Sequence, residues 1–256
     1  MNLNFLFMDD SYNDQTHISS ITGLLVPASL YSETRSRFYK IVPRAEKILA
    51  DGTRFIDIRP PELRGSKYLK NLPNADENLI FQTLEGVVEL IVTQNLEVYR
   101  SGCYITQETS KLSKDFNIDW RLHDICWLNM VSMLEAKMTQ EMIVPVMDGF
   151  SATTVKTFSQ FVKNMDLMRS AGWGPIMNIK NTENILGEVF YCDSRYSIFT
   201  QIADNIEYLR EVADLAREGK ALTSFKRRLL PISERLSPSI IREEITLLKI
   251  AEATHE

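Results

Sequence analysis

Short apolar runs alternating with segments of helical period constrain this chain more than any other feature. Asn2 to Met8 and Ile18 to Val26 are two such runs, separated by the polar loop Ser11 to Thr16, and they predict a β-hairpin. Pro27 closes the second run, and Ser29 is placed to cap a helix from Leu30 to about Val42. Between Ala75 and Asn95 the positions Leu79, Ile80, Leu84, Val87, Val88 and Ile91 recur at three and four, marking one face of a helix. A strand follows over Val98 to Ile105, then a helix over Asp119 to Gln140. Met142 to Met147 is a compact apolar run that ends at Asp148.

Pro60, Pro61 and Gly65 break the stretch from Ile56 to Lys67 into a structured loop, and Thr153 to Met168 is weakly helical. The helix predicted over Ser197 to Arg217 buries Ile198, Ile202, Ile206, Leu209 and Ala213, while Ser197, Gln201, Asp204 and Tyr208 share another stripe. After Gly219 the composition turns charged. Ser237-Pro238 opens a final helix containing Ile240, Ile241, Ile245, Leu247 and Leu248. The expected fold class is α/β, a mixed sheet flanked by helices, with residues 1–218 as the main domain and 219–256 as a C-terminal helical extension. Chain order alone leaves the strand order open.

Hydrophobic residues make up 44% of the chain and charged residues 25%, so neither disorder nor a fibrous class applies. The net charge of -5 gives the molecule as a whole no electrostatic footprint for nucleic acid, so any polyanion would have to use a local basic patch. Candidate patches are Arg35, Arg37, Lys40 and Arg44, then Arg64, Lys67 and Lys70, then Lys226, Arg227 and Arg228. Cys103, Cys126 and Cys192 lack C-x-x-C spacing, which disfavours a zinc site and a disulfide framework and suits a reducing cytoplasm. No stretch approaches the roughly 20 apolar residues of a membrane span. The opening run reads as a strand rather than a signal peptide. Neither a phosphate-cradling glycine loop nor an H-E-x-x-H element is present. Trp120 and Trp127, seven apart on one predicted helix, read as core.

The chemistry rests on acids. Asp9 and Asp10 stand where the first apolar run ends, Asp148 ends a later one, Glu62 sits in the proline-rich loop, and Asp204 projects from the long helix. Carboxylates gathered by a fold suit hard divalent cations such as Mg²⁺ or Mn²⁺, whatever their separation in sequence. The alternative reading is that acids at strand ends are ordinary turn residues.

The segments FLFMDDSYN, PELRGSKYL, VPVMDG and DSRYSIFTQIADNIEY together resemble the bacterial family called domain of unknown function 3800, thought to adopt a ribonuclease H-like fold. The likeness touches residues 5 to 208. Asp9 takes the first place of a D-E-S motif, Asp10 replaces its glutamate, and Ser11 matches. Glu62, Leu63, Gly65 and Ser66 match E-L-K-G-S, with Arg64 in place of lysine. The closing motif, D-S-x-x-S followed by Q-x-A-D, is the most specific and is matched by Asp193, Ser194, Ser197, Gln201, Ala203 and Asp204. Asp148 rests on a looser match.

What the resemblance implies is a Mg²⁺- or Mn²⁺-dependent nuclease with Asp9, Glu62, Asp148 and Asp204 as metal ligands. Arg64, Lys67 and Gln201 would then contact the substrate, with Asp10, Ser11, Asp193 and Ser197 as supporting hydrogen-bond partners. Two other readings stay open: an inactive ribonuclease H-like scaffold that binds a partner in a bacterial defence or toxin-like module, and a phosphohydrolase acting on a small nucleotide. The apolar positions of the final helix suggest a homodimer formed through it.

Overall fold

The computed structural model describes residues 2–42, 46–48, 54–56, 63–64, 68–69, 77–104, 126–127, 129–134, 137, 140–148, 185, 189–192, 197–236 and 241–247. Its centre is a mixed six-stranded sheet of order β10-β7-β2-β1-β8-β9. The strands are β1 (Asn2–Asn13), β2 (Ile18–Pro27), β7 (Glu97–Tyr104), β8 (Glu141–Asp148), β9 (Phe190–Cys192) and β10 (Ile241–Leu247). Two short hairpins stand apart from it: β3 (Glu46–Ile48) with β4 (Arg54–Ile56), and β5 (Leu63–Arg64) with β6 (Tyr68–Leu69). Strand β1 pairs antiparallel with β2 and parallel with β8. β2 pairs antiparallel with β7, while β10 and β9 lie parallel to β7 and β8 at the two edges.

The apolar stretch at the start of β1 suits its central place, because a strand covered on both faces carries side chains of the same kind at successive positions. On one face Phe7, Leu24, Val98 and Val146 pack under α1 (Tyr31–Ile41), α2 (Glu77–Thr93), α3 (Ile198–Arg217) and α4 (Ser224–Arg235). On the other, Leu6, Met8, Ile21, Leu25, Tyr99 and Met147 meet Trp127, Met130, Val131 and Leu134 from a helical stretch. The result is three layers, helix on sheet on helix. Among the described residues no helix is long and apolar enough to cross a membrane.

Local chemistry explains the helix ends. Asn95 takes a left-handed conformation (φ 51) after α2, and the Leu96 N–H donates to the Ile91 carbonyl at 3.0 Å, closing the last turn. The Ser197 hydroxyl caps α3 by accepting from the Thr200 N–H at 3.4 Å, and Thr223 caps α4 by accepting from the Lys226 N–H at 3.2 Å. Ser29 does not cap α1, whose N-cap is Leu30 and has no side-chain hydrogen bond.

Two further expectations fail. Strand β1 runs on to Asn13, so Asp9 and Asp10 lie inside it rather than at its end: the β2 partner continues through Ile18, and each added residue gains a ladder partner. More consequentially, Ile241–Leu247 is a strand, not a helix. Ile241 and Ile245 are four apart, a separation that satisfies a helical period and a strand period alike, and the edge of β7 decides between them. The chain after Gly219 is therefore no helical appendage. Helix α4 places Leu229, Ile232 and Leu236 in the same core as α3, and β10 extends the sheet. A homodimer built on a C-terminal helix loses its element. The weakly helical segment expected over Thr153 to Met168 lies outside the described residues.

Helix α2 meets α1 through Gly86, where an added Cβ would stand 2.6 Å from the Ile41 Cγ2 atom. Gly86→Val is expected to lower stability by about 1–3 kcal/mol through overpacking against that β-branched side chain. A chemical-denaturation midpoint unchanged from that of the parent chain would contradict the packing described.

Candidate carboxylate site

Strand alternation places the site. Phe7 stacks on Phe199 of α3 with ring centroids 4.7 Å apart, so the face of β1 that carries Phe7 is the face α3 covers. Asp9, two residues on, shares that face, and Ser11 follows it. Met8 pairs with Met147, the last pair of this parallel register, and Asp9 and Asp148 each follow directly on that pair. Val146 belongs to the core under α3, so Asp148, two residues later, also faces the helix. Asp10 points to the opposite face. Continuing across the sheet, Asp9 pairs with Thr22, Thr22 with Arg100 and Arg100 with Glu243, while Asp148 pairs with Cys192. One transverse row of the sheet is thus mostly polar, and the preceding row, containing Val146, Phe7, Leu24 and Val98, is apolar.

Helix α3 makes the same change from apolar to acidic along its length. It begins with Ile198, Phe199 and Ile202, then presents Asp204, Glu207, Glu211 and Asp214 at intervals of three, four and three, a repeat that keeps them near one face. Ser11 donates to Glu211, Ser20 donates to Glu207 Oε1 at 2.6 Å, and the Thr22 hydroxyl donates to Glu207 Oε2. Because Phe7 meets Phe199 and Ser11 meets Glu211, helix and strand advance in the same direction, and Asp204 falls between those two contacts.

Electrostatics report the convergence. Burial, and then the carboxylates of Asp204, Asp10, Asp148 and Glu207, push the Asp9 carboxyl well above the usual aspartate range. Asp9, Asp148 and Asp204 are each partly exposed, so the group opens to solvent. Beside it lies a closed ionic network. Arg100 is 1% exposed and grips Glu207 with two bonds of 2.9 Å, from Nε to Oε2 and from Nη2 to Oε1. Its Nη2 also stands 2.8 Å from Asp214 Oδ2, and its Nη1 2.6 Å from Glu243 Oε1, which Arg210 Nη2 balances by bonding Oε2 at 2.7 Å. Burial alone would raise Glu207. The Arg100 charge and the bonds from Arg100, Ser20 and Thr22 outweigh it and hold the group below its ordinary value.

Of the residues singled out in the sequence, Asp9, Asp148 and Asp204 come within electrostatic reach of one another around Asp9. Glu62, Lys67 and Asp193 lie outside the described residues, as does the Arg64 side chain. The backbone of β5, which begins immediately after Glu62, does contact α3. Ser197 caps α3, and Ser11 holds Glu211. Gln201 is 1% exposed, which packs it inside the helix interface instead of leaving it open to a substrate. His17 is exposed in the β1–β2 turn with φ 55, and Trp127 fills the core.

Sequence reading missed Arg100, Glu207, Asp214 and Glu243. The acidic stripe of α3 was the available signal, since charges on the buried face of an amphipathic helix require a partner.

The donor chemistry suits a hard divalent cation, because the neighbours acting on Asp9 are all carboxylates. Among the described residues, no three of His, Cys, Asp and Glu stand at positions that would together hold a metal ion. Comparison with protein-family models, with curated proteins and with solved structures returned no match.

Two stability measurements test this geometry. Arg100→Met leaves Glu207, Asp214 and Glu243 without their shared cation and is expected to cost about 3–5 kcal/mol at neutral pH. Glu207 has a folded pKa below its ordinary 4.5, so the stabilisation it receives is present above that value and is lost as pH falls through the lowered one. The gap between parent and variant should therefore narrow below about pH 4.5. A constant gap across the acid limb would contradict the network.

Asp9 works in the opposite sense. Its raised folded pKa means that the folded state keeps a proton which the unfolded chain releases above 3.8, so stability falls as pH rises from 3.8 to the raised value. Asp9→Asn should raise the melting temperature at neutral pH and have little effect below pH 3.8. Destabilisation at neutral pH would mean that the carboxyl is not crowded by like charge.

Proposed function

We propose that the protein is a divalent-metal-dependent phosphodiesterase of nucleic acid with a ribonuclease H-like core. The carrying observation is the adjacency of Asp9 and Asp148 on neighbouring parallel strands, on the face that α3 covers with Asp204. Supporting the fold reading are a central first strand, an antiparallel meander on one side of it, parallel strands on the other, and a late helix returning an acid across the sheet. Asp9, Asp148 and Asp204, which do not stand at metal-holding positions in this structure, would draw together on the cation, with Glu62, next in sequence to β5, as the proposed fourth ligand.

A Mg²⁺ or Mn²⁺ ion held by these acids would supply Lewis-acid chemistry to the phosphodiester. The chain's own contribution is position. Asp9 and Asp148 are held by the strand ladder and Asp204 by a helix tied to the sheet through Arg100 and Glu207, so the acids keep their places despite mutual repulsion. Arg64, in β5, and Lys67 are the proposed phosphate contacts. The net charge of -5 makes such a local cationic patch necessary for a polyanionic substrate.

In this reading Asp204→Asn abolishes Mn²⁺-dependent cleavage of oligonucleotides while leaving the fold intact by circular dichroism. Undiminished cleavage by that variant would remove the assignment. Calorimetry at millimolar Mn²⁺ gives a second check: absence of binding by the parent chain would favour a non-catalytic scaffold. Turnover of free nucleotides without cleavage of oligonucleotides would instead point to a small-molecule phosphohydrolase.

A further inference from the structure

A cleft of about 310 Å³ lies on the helix-covered face between α1 and the start of α3, bordered by Phe7, Tyr31, Arg35, Tyr39, Cys192 and Phe199. That volume falls within the range of small-molecule sites, roughly 300–1,000 Å³. Its position is set by the same strands that carry the acids. Phe7 precedes Asp9 by two residues on one face of β1, about 7 Å away at the rise of a strand, and Cys192 is the ladder partner of Asp148. A molecule seated in the cleft therefore sits one row of the sheet from the carboxylates.

The walls have two kinds of chemistry. Phe7 and Phe199 are buried and stack on each other, and Tyr31 packs on Phe199 with centroids 4.7 Å apart, making a rigid aromatic floor. Tyr39 is half-buried on the next turns of α1. Over its ring lies the Arg35 guanidinium, 5.7 Å from the centroid. Arg37 pairs with Glu33 at 2.6 Å, whereas Arg35 is exposed and has no carboxylate partner among the described residues. An aromatic surface flanked by an exposed guanidinium fits a planar base joined to a phosphate, since the ring offers stacking and the guanidinium a bidentate contact to phosphate oxygens.

We infer that this cleft binds an unpaired nucleotide of a single-stranded nucleic acid, next to the phosphodiester presented to Asp9, Asp148 and Asp204, with the base against Tyr39 and Tyr31 and the phosphate on Arg35. The placement beside a scissile bond rests on the proposed nuclease reading. The binding itself does not. Stacking accepts any base, so the cleft confers a preference for unpaired over paired strands rather than for a sequence.

The test is fluorescence anisotropy of a labelled single-stranded oligonucleotide with the full chain in EDTA, where cleavage is absent. Tyr39→Ala should weaken binding about tenfold, and Tyr39→Phe, which keeps the ring, should restore it. Arg35→Gln, at an exposed position where folding is not at risk, should weaken binding and reduce the salt slope by about 0.7. A duplex of the same sequence should bind more weakly than the single strand and respond little to Tyr39→Ala. Failure of the parent chain to bind the single strand, or equal affinity of parent, Tyr39→Ala and Arg35→Gln, overturns the inference.

A parallel cleavage assay in Mn²⁺ separates the two readings. Cleavage by the parent with affinity indifferent to both variants discards the cleft and keeps the nuclease. Tyr39-dependent binding without cleavage keeps the cleft as a nucleotide site and discards the nuclease.

Discussion

The architecture around the acids depends on one buried guanidinium. Arg100 projects from β7 into the layer between sheet and α3, where it meets Glu207, Asp214 and Glu243 from two different elements. Desolvating an arginine is costly unless every direction of its fork finds a partner, and here five of its contacts go to carboxylates or to the Ser20 hydroxyl. Because a guanidinium is planar and its bonds are directional, the network fixes both how deep α3 lies on the sheet and where it sits along its own axis. Sliding the helix by a turn would leave Glu207 buried and unpaired.

That fixed seating matters for the group around Asp9. Burial, and then the carboxylates of Asp204, Asp10, Asp148 and Glu207, raise the Asp9 carboxyl at this point between helix and sheet. Ion pairing at Arg100 and aromatic packing of Phe7, Tyr31 and Phe199 hold α3 on either side of this group. The aromatic cleft arises from the same design, since the packing that anchors the start of α3 also builds its floor.

Much of the fold was legible along the chain. The hairpin β1–β2, helices α1, α2 and α3 and strands β7 and β8 fall where apolar periodicity and turn residues indicate, because each is long enough for a period of two or 3.6 to declare itself. Strand β10 was not legible. Isoleucines at 241 and 245 fit both periods, and the deciding factors, an open edge of β7 and a cation at Arg100 for Glu243, lie more than a hundred residues away. The acids of the site were visible one by one as Asp9, Asp148 and Asp204. Glu207 is legible only as part of the acidic stripe of α3, and its partner comes from the sheet.

What the sequence by itself determined is the hairpin β1–β2, helices α1 to α3, strands β7 and β8, and the candidate acids Asp9, Asp148 and Asp204, since propensity and burial period act within a dozen residues. Only the tertiary structure decided that Asp9 and Asp148 stand side by side, that α3 runs along β1 in the same direction, and that Arg100 reaches Glu207. Those relations come from strand pairing and interlayer ion pairing between segments far apart in the chain, and no local pattern encodes which remote partner an edge or a buried charge will meet.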